Sequence, residues 1–121
     1  MNDTVIYIAG PISGNPNYRQ LFAEAESRLQ YEGQVILNPA RLLEGLEDEK
    51  CLPICLQMIE LADSVMMLPG WRKSLGAFTE ALYALRQGKI VCSWDMARRK
   101  IKRLAWDSEL GIVEATHDQS M

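Results

Sequence analysis

DSVMMLPGWRKSLGAFTEALYALRQGKIVCS, residues 63 to 93, decides the fold. Its first six residues read as a short apolar strand that stops at Pro69-Gly70. A helix follows from Ser74 and closes at Gly88, and KIVCS then opens a second apolar strand. Short continuous apolar runs of this kind suit strands buried on both faces, as in a parallel sheet. Strand, turn, helix, strand is the unit that such a sheet repeats.

Working outward, the same rhythm holds on the N-terminal side. TVIYIA, residues 4 to 9, is a β-branched and aromatic run ended by Gly10-Pro11, and the turn-rich loop GPISGNPN follows it. YRQLFAEAESRLQYE then places Tyr18, Leu21, Phe22, Ala25 and Leu29 at helical spacing, with Gly33 as terminator. QVIL is a second short strand, stopped by Asn38-Pro39. ARLLEGLEDEK, residues 40 to 50, reads as an acidic loop, and CLPICLQMIELA as a helix from about Pro53, a residue tolerated in a first turn. Past KIVCS, the basic stretch WDMARRKIKRLAW reads as a last helix, with GIVEA a candidate short strand in the remainder.

The expectation is a three-layer α/β domain over residues 1–106 with a C-terminal tail at 107–121. Its mainly parallel sheet has about four or five strands, four of them close to residues 4–9, 34–37, 64–68 and 89–92, joined by right-handed crossovers. Ligands of such sheets bind at the carboxyl ends of the strands. That rule collects Gly10 to Asn17, Asn38-Pro39 and Pro69 to Ser74 on one edge.

Composition narrows the partners. The chain has 121 residues, 48% hydrophobic and 24% charged, with a formal net charge of −3. One core fits that length, and the charge argues against general affinity for nucleic acid or anionic membrane. No apolar run approaches the ~20 residues that span a bilayer, and the N-terminus enters a strand with no basic leader, so a cytoplasmic protein is expected. Three cysteines make a disulfide framework unlikely there. Cys51 and Cys55 share a helix face, but with the only histidine, His117, in a polar tail, no metal is expected.

Two segments carry possible chemistry. Gly10 and Gly14 bracket Pro11, Ile12 and Ser13 in a loop that could let backbone N–H groups approach a ligand, or could simply turn the chain. It is neither a P-loop nor a dinucleotide fingerprint. In SLGAFTE, Ser74 can cap the helix or hold a phosphate. Gly76 costs a helix about 1 kcal/mol against alanine, so its presence wants a reason. It shares a face with Glu80, four residues on, and its missing side chain would open a channel to that carboxylate. The alternative, that Glu80 is an ordinary solvated acid, stands beside this one.

VIYIAGPISG, NPA, ADSVMMLPGWRKSLGAFTEALYA and KIV together resemble the nucleoside 2-deoxyribosyltransferase-like superfamily, in a branch of small proteins from bacteria, phages and prophages. The similarity runs over roughly residues 4 to 92. It implies a flavodoxin-like Rossmannoid sheet and chemistry at the N-glycosidic bond of a nucleoside or nucleotide, with no cofactor and a homodimeric or larger assembly. In that family a glutamate at the position of Glu80 attacks C1′, giving a glycosyl-enzyme ester that water or a second base resolves. Such a carboxylate must be ionised at working pH, and N–H groups at the helix start would favour that. Tyr7 matches a tyrosine beside the nucleophile, although an aromatic packed in a buried strand explains it equally. Ser74 matches a serine that contacts the 5′-phosphate in the deoxynucleoside 5′-monophosphate N-hydrolases, and the Gly10–Gly14 loop would line sugar and phosphate.

One position departs from the pattern. Where those enzymes hold an aspartate near the start of the second helix, this chain has Cys55. A thiol is a weak donor, so a nucleotide-binding or sequestering module with impaired catalysis is the competing expectation. A third possibility comes from ARRKIKR, flanked by Trp94 and Trp106, since basic and aromatic residues interleaved can hold single-stranded nucleic acid. The net negative charge favours instead an amphipathic helix with Trp94, Met96, Ile101 and Leu104 inward.

Overall fold

The computed structural model describes residues 4–30, 33–41, 45–46 and 48–115. The end of the first helical run at 31–32, much of the acidic loop at 42–44 and 47, and the last residues with His117 lie outside the described residues. The strands are β1 (Thr4–Ala9), β2 (Gln34–Leu37), β3 (Ser64–Met67), β4 (Ile90–Asp95), β5 (Lys100–Asp107) and β6 (Gly111–Glu114). The helices are α1 (Tyr18–Leu29), α2 (Asp48–Leu61) and α3 (Leu75–Arg86), with short 3-10 turns at Pro39–Arg41 and Trp71–Lys73.

All six strands form one sheet in the order β2-β1-β3-β4-β5-β6. The first four are parallel, with Tyr7 opposite both Leu37 and Val65, and Val65 in turn opposite Val91. These strands fall where the apolar runs place them, and the α/β layering is as the alternation implies. Strand side chains point alternately to the two faces. Tyr7, Ala9, Val65, Met67 and Val91 therefore pack with α2 and α3, while Ile6, Ile8 and Met66 pack with α1.

The sheet has one strand more than the expected four or five, because WDMARRKIKRLAW is not a helix. After Asp95 the chain turns, with Asp95 Oδ1 accepting the Arg98 N–H at 3.1 Å and Arg99 in the left-handed region at φ 58°. It returns as β5, antiparallel to β4, with Trp94 opposite Ile101. Pairing with β4 outweighs the local helical pattern, and alternation turns Leu104 inward but leaves Ile101 51% exposed. Trp94, Met96 and Leu104 are buried as expected. GIVEA supplies β6, entered by a turn in which Asp107 Oδ1 accepts the N–H groups of Glu109 and Leu110. On the second helix, α2 starts earlier than expected, so Pro53 sits inside it and not in its first turn.

Candidate active site

The cavity forms where β1 and β3 end and the chain leaves for opposite faces, which is the switch point of a parallel sheet. From β1 the chain passes Gly10, whose backbone lies so close to β3 that an added Cβ would stand 3.0 Å from Leu68 Cβ and 3.3 Å from Phe22 Cζ. Glycine is needed there for close approach. The loop is then folded by Asn15, whose side-chain amide donates to the Pro11 carbonyl at 3.1 Å and whose N–H donates to the Ile12 carbonyl.

From β3 the chain turns at Gly70, φ 88°, into the 3-10 turn, where the buried Trp71 stacks on Phe78 at 5.9 Å. That stack fixes the start of α3 against its own second turn. Ser74 is the N-cap, its Oγ accepting the Ala77 N–H at 3.2 Å. The inner face of α3 carries Ala77, Ala81 and Ala84, small enough to seat the helix tightly on the sheet. Glu80 lies on that same face, and the tight seat draws it down to 7% exposure.

Beneath it stands Tyr7, fully buried, whose Oη donates to Glu80 Oε1 at 3.3 Å. The Cys55 thiol of α2 is a second hydrogen-bonding neighbour of the carboxyl. Burial pushes the Glu80 carboxyl up to about 7, with the Cys55 and Tyr7 hydrogen bonds pulling back only in part. The sequence leads one to expect an acid kept ionised by the helix start; desolvation governs it instead. Burial, then the neighbouring Glu80 charge, also raises Cys55 to about 12 and holds the Tyr7 phenol well above its ordinary value. Of the three groups, Glu80 is therefore the one that changes charge near neutrality, while Cys55 and Tyr7 stay protonated.

The cavity above Glu80 has a volume of about 220 Å³. Gly10, Ile12, Ser13, Ser74, Gly76 and Glu80 line it. Tyr7 does not; it stands behind the carboxyl. Pro11 and Gly14 also stay off the wall, Pro11 meeting Gly70 and Gly14 turning the loop at φ 73°. Gly76 has no protein atom within 4 Å of where a Cβ would stand, so its missing side chain is cavity space. Sequence reasoning missed Cys51, Leu52, Lys73, Leu75 and Ala77 in the lining. Cys51 was findable, being one turn from Cys55, and Lys73 directly precedes the cap.

Other conspicuous polar residues have structural work. Asp63 accepts the Val5 N–H at 2.8 Å at the far end of the sheet, well away from the cavity. Asn38 donates to the Phe22 carbonyl and Glu26 and accepts from Ala40 N–H, tying β2 to α1. Among the described residues no three Cys, His, Asp or Glu side chains gather as metal ligands, and no helix is long and apolar enough to cross a membrane. Trp94 is buried with Arg28 over its ring at 5.9 Å, so of the two tryptophans flanking the basic stretch only Trp106, 60% exposed, is open to stacking.

The chain is thus an α/β sheet with a carboxyl buried beneath a cavity at its switch point. Residues 4–93 match the family described as a domain of unknown function (DUF4406), and the chain belongs to it. No curated protein matches the chain. Among solved structures it is similar to a 2-desoxiribosyltransferase from Leishmania mexicana, at 23% identity and a TM-score of 0.60. The match covers 75% of this chain and 63% of that one, so the chain spans less than two thirds of the enzyme's length. The likeness is one of fold.

Proposed function

We propose that the protein cleaves the N-glycosidic bond of a nucleoside 5′-monophosphate, with Glu80 as nucleophile. The observation that carries the proposal is a single carboxyl, buried under a glycine-walled cavity at the start of α3. One oxygen of Glu80 attacks C1′ as the C1′–N bond breaks and its electron pair leaves with the base. A carboxylate is suited to the oxocarbenium-like transition state of that step. Water then attacks C1′ of the ester, returning the carboxylate and giving hydrolysis; a second base in place of water gives deoxyribosyl transfer. Tyr7, bound to Oε1, positions the carboxyl. Ser74 and the α3 N-terminus receive the phosphate, and no cofactor is required.

Because Glu80 must be ionised to attack, turnover rises with pH through about 7 and then levels. Glu80→Gln keeps the shape and removes the nucleophile. Base release from deoxynucleoside monophosphates, followed by chromatography, should fall at least a thousandfold while thermal-shift binding persists. A second reading is favoured by the neutral Cys55 thiol at the back of the site: a nucleotide-binding module without turnover. Binding with no Glu80-dependent base release from any nucleotide would establish it.

A further inference from the structure

Among the described residues, Glu80 is a buried acid with no cation beside it. The groups acting on it are two neutral donors, the Tyr7 hydroxyl and the Cys55 thiol. Among the described cavity-lining side chains it is the only carboxylate, and Lys73, the only described cation there, is exposed and not among the groups that shift it. A buried anion held only by neutral donors is complementary to a positive charge placed within about 4–6 Å, which would also hold it ionised. Nothing in the described cavity wall supplies that charge at Glu80, so a ligand can.

The leaving group raises the same point from the chemistry. A neutral base departs as an anion unless it is protonated, and a positioned acid contributes about 10²–10⁴-fold to such a step. The described donors near Glu80 are poor acids: burial holds the proton on Cys55, and Tyr7 lies behind the carboxyl. A base that already carries a positive charge leaves neutral and needs no proton.

We infer that the cavity selects N-glycosides whose base is cationic at or beside the glycosidic bond, such as pyridinium ribosides and N7-alkylated purine nucleotides. This rests on Glu80 as the nucleophile of the preceding proposal and names its substrate class. Glu80 Oε bonds to C1′, the C1′–N bond breaks, and its electron pair neutralises the positive ring. Water then adds to C1′, the ester bond returns its pair to Glu80, and one proton passes to solvent. No oxidant or reductant enters.

The experiment measures base release by the full chain from matched pairs: N7-methyl-dGMP against dGMP, and nicotinamide mononucleotide against CMP, each corrected for spontaneous cleavage. Both members of a pair carry the same 5′-phosphate, so the ratio reports on the base. The expected kcat/KM ratio is at least a hundredfold in favour of the cationic member, with Glu80→Gln losing at least a thousandfold on it. Cys55→Asp, which introduces an acid, should raise the neutral rate more than the cationic one and narrow the ratio at least tenfold. If that variant fails to fold, the wild-type ratio alone decides. A ratio near one, or in favour of neutral bases, with Glu80 still essential, overturns the inference and leaves the nucleophile standing. No Glu80-dependent release from either class overturns both.

Discussion

The two faces of the sheet are built from the same strands and do opposite things. Toward α1, β1 sends Ile6 and Ile8 against Phe22, Ala25 and Leu29, and the layer is apolar. Its polar member, Asn38, has its amide donating twice and its oxygen accepting from Ala40. Toward α2 and α3, the alternate residue of β1 is Tyr7, which brings a hydroxyl into contact with Glu80 inside an otherwise apolar cluster. One face closes the fold; the other holds a group that burial disfavours when charged. Such groups persist where the surrounding packing over-determines them, and here the alanine face of α3 and the Trp71–Phe78 stack do so.

The largest effect should come from the closed face. Phe22→Ala removes a fully buried ring whose neighbours are held by the sheet, and should cost about 3–5 kcal/mol in urea denaturation. The comparison predicts that the surviving folded fraction keeps the Glu80 titration near 7. If the titration moves by a full unit, the two faces are one coupled unit, with Gly10, wedged against Leu68 and Phe22, as the link.

The open face yields a smaller effect that depends on pH. Glu80 holds its proton more tightly when folded, up to about 7 against an ordinary 4.5. Its protonation thus contributes stability that is fully present below about 4.5 and is lost as pH rises through about 7. At 1.36 kcal/mol per unit the loss is about 3 kcal/mol. Glu80→Gln does not titrate, and its amide oxygen still accepts from Tyr7. The variant should match the wild type near pH 4.5 and exceed it by about 2–3 kcal/mol at pH 8.5, read from urea midpoints. Equal midpoints across that range would mean that the folded carboxyl is solvated, and the contrast between faces would vanish.

The four parallel strands were readable because burial on both faces writes a strand as an unbroken apolar run. β5 was not, since Lys100 to Trp106 mixes cations with apolar residues in a pattern that helix and strand both accommodate. What decides between them is Trp94 opposite Ile101, a pairing between strands that local periodicity does not contain. The site divides likewise. Gly10, Ser74, Gly76 and Glu80 could be named because the edge rule and helical spacing act within short segments. Cys51, Leu52 and Lys73 depend on how α2 and the 3-10 turn rotate toward the cavity, which packing sets. The proton affinity of Glu80 is further removed still. It follows from the depth to which the alanine face lets α3 settle, and no local pattern encodes a depth.

The smallest effect separates the faces most directly, because stability and function should move in opposite senses. Gly76 lies in the first turn of α3, and a Cβ there would meet no protein atom within 4 Å. Gly76→Ala therefore costs nothing in packing and gains helix propensity, so the protein should become more stable by about 0.5–1 kcal/mol. The methyl would occupy cavity space on the same helical face as Glu80, and a ligand reaching the carboxyl would meet it. Nucleotide affinity, measured by thermal shift or calorimetry, should weaken as the melting temperature of the free protein rises. At Gly10 the contrast is the reverse: a Cβ there would stand 3.0 Å from Leu68 and 3.3 Å from Phe22, so Gly10→Ala should destabilise the protein. A Gly76→Ala protein that binds as tightly as the wild type would show that the ligand passes elsewhere, and the glycine wall would lose its functional meaning.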